Sequence, residues 1–179
     1  QFLMKKNKID VIMGTGVVKP GKNIEVTDKD GKKTTYSGKN IIIATGAKSR
    51  QLPNLPQDGK QVLGYREAMV LPKMPKKMVI VGSGAIGVEF AYFYNAMGVD
   101  VTIVEFLPNI VPVEDIDVSK QLEKTFKKKG INIMTNSSVE KVNKSEKGCE
   151  VIISTKKGEE KINCDIVLSA VGIHPNIEN

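Results

Sequence analysis

The stretch that decides the fold is "MVIVGSGAIGVEF", residues 78–90. It begins with a continuous apolar run, as expected for a strand buried on both faces, and it continues as an apolar helix. Between the two, Gly82, Gly84 and Gly87 have the G-x-G-x-x-G spacing. The first glycine permits a tight turn, the second lets the backbone approach a pyrophosphate, and the third lets the helix pack closely on the strand. The stretch therefore predicts a dinucleotide-binding unit.

Strands and helices alternate after this unit. The helix is expected to extend from Ala85 to Met97 and, because it is apolar on nearly all sides, to be buried. A strand at 99–105, an amphipathic helix at 116–129 and a strand at 131–135 follow. This order predicts a parallel sheet with βαβαβ topology, which is a Rossmann-like α/β fold.

The chain contains an internal repeat. A stretch of short strands and turns, predicted to form an antiparallel three-stranded meander, precedes the buried strand "DIVLSAVG", residues 165–172. The same order occurs near the beginning of the chain, where a meander precedes "KNIIIATG", residues 39–46, with Ile41–Ile43 predicted to be a buried strand. Gly31 corresponds to Gly158, and Gly46 corresponds to Gly172.

Only the second copy of the repeat is preceded by a glycine-rich unit. We therefore expect residues 1–71 to be the trailing part of a first nucleotide-binding domain with its linker, and residues 72–179 to be a second such domain. The first residue, Gln1, is not a methionine, which also favours a segment of a longer protein. The alternative is an N-terminal hairpin extension of a single domain.

Composition narrows the possible functions. The net charge is +7, but the lysines are scattered and aromatic residues make up only 5%, which argues against a nucleic-acid partner. No apolar run is long enough to span a membrane. Cys149 and Cys164 lack a short Cys-x-x-Cys spacing and are expected to be free thiols in a reducing compartment, the cytoplasm. No spacing of metal ligands is present, so no metal site is expected.

Three further side chains are candidates for a role in the site. Glu105 ends the strand after the glycine-rich unit, where a carboxylate can accept hydrogen bonds from the adenosine ribose and repel a 2′-phosphate; the alternative is a surface acid at a strand end. Glu89 is the only charged residue of its helix, so it needs a partner or a polar cavity if it is buried; the alternative is a first-turn acid favoured by the helix dipole. His174 has no placed partner, which favours an exposed loop histidine over a catalytic base.

The motifs "IIIATGA", "VIVGSGAIGVEFA", "GVDVTIVE" and "AVGIHPN" occur in an order that resembles the flavoprotein disulfide reductases. Within that family the chain is most similar to the dihydrolipoamide dehydrogenases. The acid at position 105 favours this branch over the NADP-dependent glutathione reductases, and Ala85 stands where those enzymes place a tyrosine. One departure is Ile173, since the family usually has an arginine at this position.

The resemblance implies where two cofactors bind. The NAD contacts that it implies lie in the glycine-rich unit, at the end of the next strand, on the meander and after the last buried strand: Gly82, Ser83, Gly84, Ala85, Ile86, Gly87, Val88, Glu89, Glu105, Val139 and Gly172. Val139 is expected on the adenine side and Gly172 on the nicotinamide side. Thr45, Gly46 and Ala47 match a contact to FAD in the full-length protein.

The resemblance also implies the activity of the whole protein. A dihydrolipoamide dehydrogenase passes electrons from dihydrolipoamide, carried by an acyltransferase or carrier protein of a 2-oxoacid dehydrogenase or glycine cleavage complex, through a disulfide and FAD to NAD. The redox Cys-x4-Cys, the FAD fingerprint and the dimerisation domain with its His-Glu pair are not in these 179 residues. We therefore expect no catalytic residue in this segment, no activity from it alone, and a homodimer for the whole enzyme. Alternatives are a related NADH oxidase, peroxidase or mercuric-type reductase, and a stand-alone NAD-sensing module.

Overall fold

The computed structural model describes residues 2–178. The chain forms two compact units, with boundaries between Gly46 and Ala47 and between Pro175 and Asn176. The larger unit is Ala47–Pro175. The predicted domains 1–71 and 72–179 remain a prediction about the whole protein.

The helices are α1 (Phe2–Lys6), α2 (Tyr65–Ala68), α3 (Ala85–Ala96) and α4 (Ile116–Lys128). The strands are β1 (Thr15–Lys19), β2 (Asn23–Thr27), β3 (Lys33–Ser37), β4 (Ala47–Ser49), β5 (Val62–Leu63), β6 (Lys77–Val81), β7 (Asp100–Val104), β8 (Asn132–Met134), β9 (Ser138–Ser145), β10 (Gly148–Thr155), β11 (Gly158–Cys164), β12 (Ile166–Ser169) and β13 (Ile173–Pro175).

A five-stranded parallel sheet forms the centre of the larger unit. Its strand order is β5-β12-β6-β7-β8, and every neighbouring pair is parallel. The predicted sequence of strand, helix, strand, helix and strand from β6 to β8 is confirmed. Side chains of β6 alternate between two hydrophobic clusters: Met78 and Ile80 pack with α3, whereas Val79 and Val81 pack against the β9–β11 sheet. Because both faces are covered, the strand is apolar without interruption.

Both predicted meanders form antiparallel three-stranded sheets. One consists of β1-β2-β3, and the other has the order β11-β10-β9. The corresponding glycines, Gly31 and Gly158, both have positive φ, +81° and +121°, and both lie where the second strand turns into the third: Gly31 precedes β3, and Gly158 begins β11. Gly46 and Gly172 also share positive φ, +77° and +109°. The repeat seen in the sequence is therefore a repeat of backbone conformation.

The expected strand at Ile41–Ile43 is absent from the structure. Residues 40–46 form no strand, and Ile42 and Ile43 are 89% and 70% exposed. A strand exists only where its N–H and C=O groups pair with a neighbouring strand, and none of the strands in residues 2–178 pairs with this segment. An apolar composition alone was not sufficient to form it.

The expectation that α3 would be buried on nearly all sides is also wrong. Val88, Ala91 and Tyr94 are buried, but Tyr92 and Phe93 are about half exposed, at 49% and 51%. One side of the helix packs against the sheet, so only residues three and four positions apart are covered. On the amphipathic helix α4, Val118 is exposed and Ser119 is buried, with its hydroxyl donating to the Ile110 carbonyl.

The two cysteines are free thiols, as expected, and both are buried. They lie opposite each other on β10 and β11. The hydrogen bond to Cys149, and then burial, raise the pKa of Cys164, whereas the same hydrogen bond lowers the pKa of Cys149. No helix in the described part of the chain is long and apolar enough to cross a membrane.

Asp58 organises the loop that leads into the edge strand β5. Its Oδ1 accepts hydrogen bonds from the backbone N–H groups of Lys60, Gln61 and Val62, each at 2.9 Å, and its Oδ2 pairs with the Lys144 ammonium at 2.9 Å. Burial acts to raise the pKa of Asp58, but these donors outweigh it and hold the pKa well below its usual range. The charged carboxylate therefore stabilises both the loop and its attachment to β9.

We predict that Asp58→Ala lowers the free energy of unfolding by about 1–2 kcal/mol at neutral pH, because the loop loses its acceptor. A carboxyl with a depressed pKa contributes stability above its unfolded pKa of about 3.9, and that contribution is lost as the pH falls through the folded value. The difference between the two proteins should therefore shrink below about pH 4. Urea titrations from pH 7 to pH 3 measure it. Glu140→Ala, which removes an exposed acid from β9, is the control, and an equal, pH-independent loss in both variants would contradict the prediction.

Candidate functional site

The three glycines of the turn after β6 face different surroundings. At Gly82, φ is +97°, and an added Cβ would lie 2.5 Å from the Ala170 carbonyl oxygen on the neighbouring chain segment. At Gly87, an added Cβ would overlap the Gly82 carbonyl oxygen. Gly84, in contrast, would place its Cβ in open space, with no atom of another part of the chain within 4 Å. Two of the glycines are thus required by the fold, and the third leaves room for something outside it.

Helix α3 begins at this open position. Gly84 is its N-cap, no side chain caps the helix, and no acid lies in its first turn. The first N–H groups of a helix have no partner within the helix, and they carry about half a positive charge together with the helix dipole. The end of α3 therefore offers N–H donors and positive potential to an anion.

Glu105 immediately follows β7 and bonds to the glycine turn. Its Oε2 accepts from the Ser83 N–H at 2.8 Å and from the Ser83 hydroxyl at 2.6 Å, and its Oε1 accepts from the Leu107 N–H at 2.8 Å. Glu105 is 7% exposed and Ser83 is fully buried. The carboxylate predicted to bind a ribose therefore also holds the turn in place, a contact that the sequence pattern alone did not indicate.

Ser83 is held from a third direction. Its carbonyl oxygen accepts from the Val111 N–H at 2.9 Å, and Val111 has φ +41°, a conformation that a β-branched residue rarely adopts. The loop between β7 and α4 thus reaches back to the glycine turn at the expense of backbone strain. Strain of this kind persists only where the surrounding contacts over-determine the conformation, and it is concentrated at functional sites.

A cavity of about 830 Å³ opens over the glycine turn, a volume within the range of small-molecule and cofactor sites. It lies at the carboxyl ends of the parallel strands, where open α/β sheets bind their ligands. It is lined by most of the residues predicted to contact NAD: Gly82, Ser83, Gly84, Ala85, Ile86, Glu105, Val139 and Gly172. The cavity lining does not include Gly87, Val88 or Glu89. Gly87 and Val88 are buried, and Glu89 is exposed beyond the first turn, so it needs no buried partner.

Comparison with known proteins agrees with this geometry. All 179 residues match the family model described as pyridine nucleotide-disulphide oxidoreductase. The chain belongs to this family of oxidoreductases. It is 43% identical to the dihydrolipoyl dehydrogenase of Rhizobium etli over 99% of its own length and 40% of that protein's length. The chain therefore spans about two fifths of the length of this relative.

Solved structures with the same fold include other members of the family. The chain superposes on LpdA from Mycobacterium tuberculosis with a TM-score of 0.81 at 28% identity, covering 98% of the chain and 39% of that protein. It superposes on an NAD-dependent persulfide reductase from A. fulgidus with a TM-score of 0.79 at 25% identity, covering 99% of the chain and 34% of that protein. The Rossmann-type fold expected from the sequence is confirmed.

Sequence reasoning missed the part of the site that precedes the glycine turn. Arg50, Leu52, Asn54 and Leu55 line the same cavity. Asn54 donates through Nδ2 to the Val139 carbonyl at 2.6 Å, so the segment "LPNLP" is attached to β9 instead of serving as a free linker. The signal in the sequence was Asn54, which lies between two prolines that restrict the backbone, and Arg50 shortly before them.

The residues predicted to contact FAD are exposed or partly exposed in this chain. The Thr45 hydroxyl donates to the Asn176 carbonyl at 2.6 Å, and the Gly46 carbonyl accepts from the Asn176 N–H at 2.9 Å. Ala47 begins β4.

His174 is exposed as expected, but it lies on strand β13, paired with Lys48 of β4, and not in a loop.

Gly87→Ala and Gly84→Ala are predicted to differ sharply in stability. The first places a methyl group on the Gly82 carbonyl and should lower the free energy of unfolding by about 3 kcal/mol or more, or prevent folding. The second enters open space at φ −66°, and it should change stability by less than about 1 kcal/mol. Urea denaturation followed by circular dichroism measures both. Similar losses in the two variants would contradict the assignment of separate roles to the two glycines.

Proposed function

We propose that this chain binds NAD(H) and serves as the nicotinamide-nucleotide domain of a dihydrolipoyl dehydrogenase. The observation that carries the proposal is the open position at Gly84, which lies at an uncapped helix N-terminus inside the cavity and has Glu105 at the end of the next strand. A phosphate group fits the first feature and ribose hydroxyls fit the second. Calorimetric titration of the chain with NADH tests it directly, and no detectable binding would contradict it.

The residues of the chain divide the work of binding. The N–H groups at the start of α3 receive the pyrophosphate, and the missing side chain at Gly84 lets them approach it. Glu105 accepts from the adenosine ribose, since a carboxylate offers about four lone-pair positions and only three donors occupy it here. Val139 covers the adenine side, and Gly172 leaves space at the nicotinamide side. The apolar walls of the cavity exclude water from the reactive end.

The activity of the whole protein is proposed from the relatives. Dihydrolipoamide, presented by a carrier of a 2-oxoacid dehydrogenase or glycine cleavage complex, reduces a disulfide, and electrons pass through FAD to NAD⁺. Thr45, Gly46 and Ala47 contribute to the FAD side in the full-length protein, which we propose to be a homodimer in the cytoplasm. The persulfide reductase has the same fold, so the fold does not distinguish a dihydrolipoyl dehydrogenase from an NADH oxidase, peroxidase or mercuric-type reductase. The cysteines of the full-length sequence distinguish these enzymes. The length of the full-length sequence distinguishes an NAD-sensing module.

We predict that the 179-residue chain alone neither retains FAD on purification nor reduces lipoamide with NADH, even when FAD is added. It contains no Cys-x4-Cys pair to carry electrons to a disulfide substrate. The absorbance spectrum of the purified chain reports flavin, and NADH consumption with lipoamide against an enzyme-free blank reports turnover. Stoichiometric flavin or turnover above the blank would show that the redox site lies within these residues.

We predict that Glu105 makes the chain prefer NADH over NADPH. Its charge bonds the ribose hydroxyls and repels a 2′-phosphate, and a net difference of about 2–3 kcal/mol corresponds to roughly 30- to 150-fold weaker NADPH binding. Glu105→Gln removes the charge and keeps one acceptor oxygen for the turn. This change should weaken NADH binding and remove most of the discrimination in calorimetric titrations of both nucleotides.

The matched control is Ser83→Ala, which removes the hydroxyl bond to Glu105 and leaves the charge in place. If Glu105 acts on the ribose, Ser83→Ala weakens both nucleotides by similar factors and retains the preference for NADH. Equal affinities of the unaltered chain for NADH and NADPH, or a ratio unchanged in Glu105→Gln, would remove Glu105 from the ribose site. Loss of discrimination in Ser83→Ala alone would assign the preference to the shape of the turn.

A further inference from the structure

Arg50 lies at the edge of the cavity and supplies its positive charge. Of the described residues that line the cavity, Arg50 is the only one with a cationic side chain, and Glu105 is the only one with an anionic side chain. The side chain is exposed, and its guanidinium forms no hydrogen bond or ion pair with another residue among 2–178. The chain's other arginine, Arg66, donates to the Ala47 carbonyl at 3.2 Å. Arg50 is thus available for a ligand.

The backbone at Arg50 is firmly positioned. Strand β4, which ends one residue earlier, is paired with β13, and the Arg50 N–H donates to the Gly172 carbonyl at 2.9 Å. Gly172 follows β12 and lines the cavity as well. The guanidinium therefore extends from a fixed point beside the nicotinamide side of the proposed NAD site.

The sheet order separates Arg50 from Glu105. β12 and β7 are neighbours of β6 on opposite sides, so residues beyond their carboxyl ends are about 10 Å apart, two strand spacings. The adenosine ribose, and a 2′-phosphate if one is present, belongs at the Glu105 side. Arg50 is placed for the phosphate on the far side of the glycine turn.

The charge of the dinucleotide also favours a contact between Arg50 and a phosphate. A dinucleotide pyrophosphate carries two negative charges, whereas one helix N-terminus supplies about half a positive charge. A guanidinium can make two parallel hydrogen bonds to one phosphate, which a helix end does not replace.

Resting on the proposed NAD function, we propose that Arg50 binds the nicotinamide-side phosphate of the dinucleotide, as a residue that sets affinity without selecting between NADH and NADPH.

The test uses the unaltered chain, Arg50→Gln, Arg50→Lys and a charge-matched control, Lys60→Gln, whose exposed side chain lies outside the cavity. Each is titrated with NADH and NADPH by calorimetry, and with ADP-ribose and AMP in competition against NADH. ADP-ribose carries both phosphates, whereas AMP carries only the adenosine-side phosphate. Circular dichroism confirms that each variant is folded.

Arg50→Gln should weaken NADH and ADP-ribose about tenfold or more, from the loss of charge-assisted hydrogen bonds, and change AMP by less than about twofold. The ratio of NADH to NADPH affinity should stay the same. Arg50→Lys should recover part of the loss, because a point charge replaces the fork, and Lys60→Gln should match the unaltered chain.

Several outcomes would overturn the proposal. Unchanged ADP-ribose affinity in Arg50→Gln removes Arg50 from the phosphate site, and an equal loss for AMP assigns it to the other phosphate. An altered NADH to NADPH ratio assigns it to the 2′-position. If the unaltered chain binds NADH and Arg50→Gln binds it equally well, only this inference fails, whereas absence of NADH binding to the unaltered chain overturns the proposed function itself.

Discussion

The hydrogen bonds between Glu105 and Ser83 are the contact on which the site depends. A buried carboxylate is costly unless donors surround it, and here two donors from Ser83 and one from Leu107 satisfy it. The same bonds fix the glycine turn to the end of β7, because parallel strands bring the residues after their carboxyl ends to one edge. Val111, through its strained backbone, completes the attachment by donating to the Ser83 carbonyl. The turn is thus set before any ligand arrives, which lowers the ordering cost of binding.

Sequence reasoning succeeded where one local pattern determines the structure. The uninterrupted apolar run of β6 is possible only when both faces are covered, and the positive φ of Gly82 follows from the turn that it must make. It failed where the outcome depends on a distant partner. Ile41–Ile43 have strand-like composition but no neighbouring strand among the described residues, and Phe93 is apolar on the side of α3 that the sheet does not cover.

The site was predicted in the same uneven way. The glycine turn and Glu105 form a local fingerprint with fixed spacing, so their shared position could be inferred. The contact between Asn54 and Val139 joins residues 85 positions apart, and Arg50 reaches the cavity only because β4 pairs with β13. No periodicity encodes such pairings, since they follow from how separate elements are placed. Residues of this kind are found by structure, whereas the fingerprint is found by sequence.

The repeated meander illustrates how one topology can have two packing environments. In the β9–β11 sheet, Val151 and Ile153 are fully buried because that sheet covers one face of the parallel sheet. In the β1–β3 sheet, β1 and β3 are exposed throughout and β2 is only half-buried. Hydrogen bonding sets the antiparallel order in both sheets. Only the β9–β11 sheet has an apolar face that another sheet of its own unit covers among the described residues. Pairing therefore defines the shape of the module, and the covering layer determines how much hydrophobic burial stabilises it.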